Sequence, residues 1–91
     1  MNNLANIYRD EGDLAKAANL LTKALELRPD FSSAWMNLGI VYSSMGLFNE
    51  SETCYLEALK HRKRYPDCFY NLGNLVRKMR ISVWMLFTNI F

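Results

Sequence analysis

At 91 residues the chain is one small unit, near the size where a single core is marginal. Its 11 basic and 9 acidic side chains nearly balance, so bulk charge gives no argument for nucleic acid or an acidic substrate. An apolar fraction of 51% argues against disorder, and two cysteines are too few for a disulfide framework. Residues 1–10 lack a basic start followed by an apolar run, so no secretory signal is expected, and no segment approaches the ~20 apolar residues of a membrane-spanning helix. The chain opens inside a helix that should run to about Glu11, with Gly12 in the turn. Asp13 is a candidate N-cap for a second helix carrying Leu14, Ala17, Leu20, Leu21, Ala24 and Leu25 at helical spacing. Pro29 stops it near Leu27. Ser32 or Ser33 should open a third helix with Trp35, Leu38, Val41 and Tyr42, closed by Gly46. A fourth is expected from about Phe48 to Arg64 with Tyr55, Ala58 and Leu59 inward. Pro66 suits the first turn of a fifth, which carries Phe69, Leu72, Gly73 and Val76.

One spacing orders these elements. Leu4, Leu38 and Leu72 stand 34 residues apart, and each follows an asparagine: Asn3, Asn37 and Asn71. Trp35 and Phe69 keep that register, as do Gly39 and Gly73, Tyr8 and Tyr42, Gly12 and Gly46, and Ala24 and Ala58. W-x2-L-G-x2-Y at a period of 34, followed by Gly and then Ala, resembles the tetratricopeptide repeat (TPR), a helix-turn-helix unit that buries its apolar face by stacking on its neighbours. The expected fold is all-α: a right-handed superhelical stack of about two and a half TPR repeats, incomplete at both ends. Residues 1–31 would form a first repeat truncated at its N-terminus, 32–65 a second, 66–80 the first helix of a third, and 81–91 a divergent apolar tail. Gly39, Gly73 and Ala58 should let paired helices approach, while Trp35, Tyr42, Phe69 and Tyr55 fill the core. The register breaks after Val76: Arg80 stands where the turn glycine belongs and Met85 where a small residue belongs. The tail has neither charge nor amphipathic spacing, and its residues 83–87 form an aggregation-prone window, so it reads as foreign to the repeat.

Function in such stacks lies in the surface they build. Asn3, Asn37 and Asn71 should line up along the concave face, each offering a donor and an acceptor to the backbone of an extended peptide. Tyr70, Asn74 and Arg77 join them as candidate peptide-binding groove residues, with Asn6, Arg9, Ile40 and Ser43 as neighbours on that face. The ladder resembles the asparagine-lined groove of O-GlcNAc transferase repeats. It departs from the carboxylate clamp of chaperone-binding repeats, which wants Lys and Arg where this chain has Asp67 and Asn71. Lys60-His61-Arg62-Lys63-Arg64 is better read as cations complementing a helix C-terminus than as a nucleic-acid patch. No metal ligand set, cofactor motif or catalytic constellation is expected: Cys54 and Cys68 fit no zinc spacing, and His61 has no companion. Buried free thiols are the default for the two cysteines, with a disulfide open to them in an oxidising compartment. Asn49-Glu50-Ser51 is an N-glycosylation sequon, but Ser51 occupies a packing slot.

Two stretches are more specific, Ala34-Trp35-Met36-Asn37-Leu38-Gly39-Ile40-Val41 and Lys60 through Gly73. With Met1-Asn2-Asn3-Leu4, Tyr8 and Gly12-Asp13-Leu14, they resemble the transmembrane and TPR-containing protein O-mannosyltransferases over about residues 1–75. That resemblance implies a fragment of the lumenal repeat region of an endoplasmic-reticulum membrane enzyme. Such enzymes use dolichyl-phosphate mannose to mannosylate Ser or Thr of cadherin-type acceptor proteins. It carries over no catalytic residue. The alternative is a stand-alone cytosolic TPR adaptor unrelated to glycosylation, the better expectation if the chain is complete as written.

Overall fold

A computed structural model describes residues 2–90, with side chains from 3 to 80. Five helices follow in order: α1 (Asn2–Asp10), α2 (Leu14–Leu27), α3 (Ser32–Ser44), α4 (Phe48–His61) and α5 (Pro66–Ile90). α1, α3 and α5 lie side by side as one layer, and α2 and α4 pack against them as the second. This is the all-α stack the register implies.

Glycine makes the turns within each repeat. Gly12 and Gly46 have φ of 84° and 80°, the left-handed region that a side chain disfavours. Around them the amides of Asp13 and Leu47 donate to the carbonyls of Tyr8 and Tyr42, at 2.8 and 2.9 Å. That bond spans the end of a helix and closes it. Arg80 stands 34 residues beyond Gly46. An arginine there offers no inexpensive left-handed turn, and α5 continues unbroken to Ile90. The change of sequence character at residue 81 is therefore not a helix end. The apolar window at 83–87 lies outside the residues whose side chains are described.

The links between repeats also recur at 34. Arg28 and Arg62 each donate a backbone N–H to Ala24 and Ala58, both at 2.9 Å. Their guanidinium groups lie over Phe31 and Tyr65, 4.7 and 4.2 Å from the ring centroids. This capping ends α4 at His61, short of the expected Arg64. Only Lys60 and His61 of the basic run lie in its last turn; Arg62 is engaged with Tyr65. At the helix starts, Asp13 accepts from the Lys16 amide at 3.3 Å, as expected. α3 opens at Ser32, but Phe31 holds the N-cap position, without a side-chain cap.

Two clusters form the core. One gathers Ala5, Ala17, Leu21, Leu25, Ala34, Leu38, Val41 and Cys54; the other gathers Tyr55, Ala58, Tyr65, Cys68 and Leu75. Trp35 touches both, its indole N–H donating to the Pro29 carbonyl at 2.7 Å. Where α4 crosses α3, the Tyr55 ring lies on Gly39, so close that a Cβ there would meet ring carbons at 2.5 and 2.7 Å. Beside it the fully buried Ser51 hydroxyl donates to the Gly39 carbonyl at 2.6 Å. Ser51→Ala should therefore cost about 1 kcal/mol, seen as a lower denaturation midpoint at unchanged helicity.

Two packing expectations need correction. Phe69 is 55% exposed and Val76 42%, whereas their register partners Trp35 and Tyr42 pack against the core. A Cβ on Gly73 would meet nothing within 4 Å, whereas Gly39 lies beneath a ring. The reason is the same in each case: these positions await a helix that would pack on α5 as α4 packs on α3. Among the described residues none does. Leu4 and Ile7 of α1 are similarly half-exposed at the opposite end of the stack.

Candidate functional site

The layer of α1, α3 and α5 carries the polar side chains that the register singled out. Between α3 and α5 lies a crevice of about 230 Å³. α3 supplies Ile40, Ser43 and Ser44, and α5 supplies Asn71, Asn74, Leu75, Arg77 and Lys78. Tyr55 reaches in from α4, across the surface that Gly39 leaves bare. Residues 71, 74, 75 and 78 fall on one face of α5 because helical neighbours recur every three or four positions.

Three of the six candidate groove residues thus come together: Asn71, Asn74 and Arg77. Asn37 is only 7% exposed and belongs to the helix interface more than to an open surface. Asn3 is exposed on α1 and Tyr70 is 72% exposed on α5; neither lines the crevice. Asn71 donates its amide to the Asp67 carbonyl at 2.8 Å, leaving its side-chain oxygen as an acceptor. Arg77 donates to Asn74 Oδ1 at 3.3 Å, and Lys78 donates to Ser43 Oγ at 3.3 Å. Lys78 and Tyr55 were not among the expected groove residues. Lys78 lies seven residues beyond Asn71 and four beyond Asn74, a helical spacing that could have placed it on their face. Tyr55 comes from the other layer, where no pattern of first-helix residues points.

A second hollow, of about 480 Å³, opens between α2 and α4. Its lining includes Leu25, Trp35, Leu38, Tyr42 and Cys54, with Glu26 and Glu50 beside them. It is larger but mainly apolar, and most of its lining belongs to or packs on the first core cluster. The α3–α5 crevice is smaller and more polar, lined by side-chain donors and acceptors from Ser43, Ser44, Asn71, Asn74, Arg77 and Lys78.

The remaining candidates are structural. Among the described residues no group of His, Cys, Asp or Glu could hold a metal ion. Cys54 and Cys68 are buried free thiols, the latter donating to the Tyr55 carbonyl at 3.4 Å. Burial pushes Cys54 up to about 12 and Cys68 up to about 11. Both thiols should therefore resist alkylation at neutral pH in the native chain and react once it unfolds. The unfolded chain loses these protons near pH 8.5, below the native values, so stability should fall as pH rises past about 9. A pH series of urea titrations measures this. Asn49 is exposed in the first turn of α4, but the Ser51 of its sequon is fully buried.

Comparison with known proteins agrees with the geometry. Tetratricopeptide-repeat family models match residues 5–46 and 32–63. A TPR repeat-containing protein of Methanocaldococcus jannaschii is 36% identical over 75 residues, which cover 80% of this chain and 22% of that protein. The human protein O-mannosyl-transferase TMTC3 is 35% identical over 72 residues, covering 78% of this chain and 8% of TMTC3. The chain thus spans under a quarter of either relative. Among solved structures, YrrB, described as a TPR protein with an unusual peptide-binding site, superposes with a TM-score of 0.80 at 29% identity, over 87% of this chain and 41% of YrrB. Register, paired glycine turns, two-layer stacking and these matches agree: the chain belongs to the tetratricopeptide-repeat family.

Proposed function

We propose that the crevice between α3 and α5 is where this chain holds an extended peptide. As a TPR stack the chain is a protein-binding scaffold. The observation that carries the finer reading is the convergence of Asn71, Asn74 and Arg77 with Ser43 and Ser44 on one cleft. Amides and hydroxyls there present donors and acceptors at the spacing of helix turns, suited to a strand's backbone. The peptide-binding site described for YrrB supports the same reading. Asn3, Asn37 and Tyr70 would extend the contact surface rather than form its centre. Asn74→Ala should weaken binding of an extended peptide several-fold by fluorescence anisotropy while leaving helicity intact. Asn37→Ala is a poorer probe, because that side chain is buried. Unchanged affinity in Asn74→Ala would remove the amide from the site.

We further propose that the stack derives from the repeat region of an endoplasmic-reticulum O-mannosyltransferase, presenting cadherin-type acceptors to a membrane catalytic half. The support is the sequence resemblance and the likeness to TMTC3 over 72 residues. Among the described residues no helix is long and apolar enough to cross a membrane. Sequencing the transcript outward from both ends tests the proposal. Upstream membrane-spanning segments and a downstream return to the 34-residue register are expected; a transcript bounded by these 91 residues would favour the cytosolic adaptor.

A further inference from the structure

The charges of the α3–α5 crevice are one-sided. Arg77 and Lys78 both line it, and none of its lining residues is acidic. The two cations are held by neutral groups, the Asn74 oxygen and the Ser43 hydroxyl, each at 3.3 Å. Among the described residues neither has a carboxylate within ion-pair distance, unlike Arg9, Lys16 and Arg28, which lie 3.6–3.8 Å from aspartates. Neighbouring cations without a counter-ion repel each other, and a bound anion relieves that repulsion.

The same layer continues the theme on α1. Arg9 stands 68 residues before Arg77, two full repeats away in the same register slot. Its Nη1 is buried without a hydrogen-bond partner, and so is Oδ1 of Asn6, one turn earlier on the helix. Arg9 also acts electrostatically on Tyr55, whose ring lines the crevice, opposing the rise that burial imposes on that hydroxyl. Arg9, Ser43 and Arg77 thus share one register slot on α1, α3 and α5, and Asn6, Ile40 and Asn74 share the slot one turn earlier.

We propose that the groove selects acidic peptide segments, with Arg77 and Lys78 reading an Asp or Glu carboxylate. This rests on the peptide-binding reading above and adds the ligand's chemistry. The cations lie further along α5 than Asp67 and Asn71, so the arrangement differs from a clamp built at those two positions. Arg77 supplies a planar fork suited to a carboxylate, and Lys78 a compact charge beside it.

Selection from a random displayed peptide library on the full chain tests the proposal. Asp and Glu should be enriched in the bound fraction relative to the input. A bound acidic peptide should lose about tenfold or more in affinity on changing its Glu residues to Gln, on Arg77→Gln with Lys78→Gln, or on raising the salt concentration. A bound fraction with the acidity of the input, indifferent to the double substitution, would overturn the acidic preference and leave peptide binding standing. Absence of any bound fraction would overturn both. Unchanged helicity in the double variant separates a lost contact from a lost fold.

Discussion

Gly39→Ala should destabilise the stack by about 1–3 kcal/mol, while Gly73→Ala should stabilise it by about 0.5–1 kcal/mol. Both glycines occupy one register slot, in the middle of a first-layer helix. In a helix interior alanine is favoured over glycine by up to about 1 kcal/mol, and at Gly73 nothing within 4 Å opposes that gain. At Gly39 the new methyl would stand 2.5 Å from a carbon of the Tyr55 ring. Tyr55 is only 2% exposed, so the ring has no room to retreat and overpacking outweighs propensity. Urea denaturation of the two variants checks the pair. Midpoints moving in opposite directions are expected; movement in the same direction would refute the packing argument. In a longer protein where another helix covers α5, the sign at Gly73 should reverse, which makes this substitution a probe of what lies beyond the chain.

Leu75→Ala should cost about 2–5 kcal/mol and release α5 before the rest of the stack. Leu75 is 1% exposed and clusters with Tyr55, Ala58, Tyr65 and Cys68, the residues that fasten α5 to α4. Among the described residues α5 packs on α4 and α3 alone, so it has the fewest contacts to lose before detaching. Amide hydrogen exchange should show lost protection in α5 with α2 and α3 still protected. Because Leu75 also lines the crevice, peptide binding should vanish with it. Equal loss of protection in every helix would mean that the stack melts as one unit.

Most of the fold was legible because the repeat states its own boundaries. The glycines at 12 and 46, the cap at Asp13, the stop before Pro29 and the start at Pro66 each carry a backbone constraint that holds wherever they occur. The end of α4 was less legible, since Arg62 closes it through a backbone bond and stacks on Tyr65, and neither choice is written in the basic run. Exposure at Phe69, Val76 and Gly73 was not legible at all. A register assigns a residue its slot, and only the presence of a neighbouring helix decides whether the slot is filled.

The site divides in the same way. Asn71, Asn74 and Arg77 could be placed on a common face from helical spacing alone. Asn37 shares the slot of Asn71 but lies between α1 and α5, so the same position is buried in the middle of the stack and half-open at its end. The contribution of Tyr55 depends on its crossing Gly39, a tertiary contact that spacing along one helix cannot express.

If peptide binds between α3 and α5, its titration should perturb the residues that line that crevice. Amide chemical-shift mapping on the full chain during titration with a library-selected peptide tests it most directly. Shifts should concentrate at Ser43, Ser44, Asn71, Asn74 and Arg77. Shifts concentrated instead at Leu25, Trp35, Tyr42 and Cys54 would place the ligand in the hollow between α2 and α4 and contradict it.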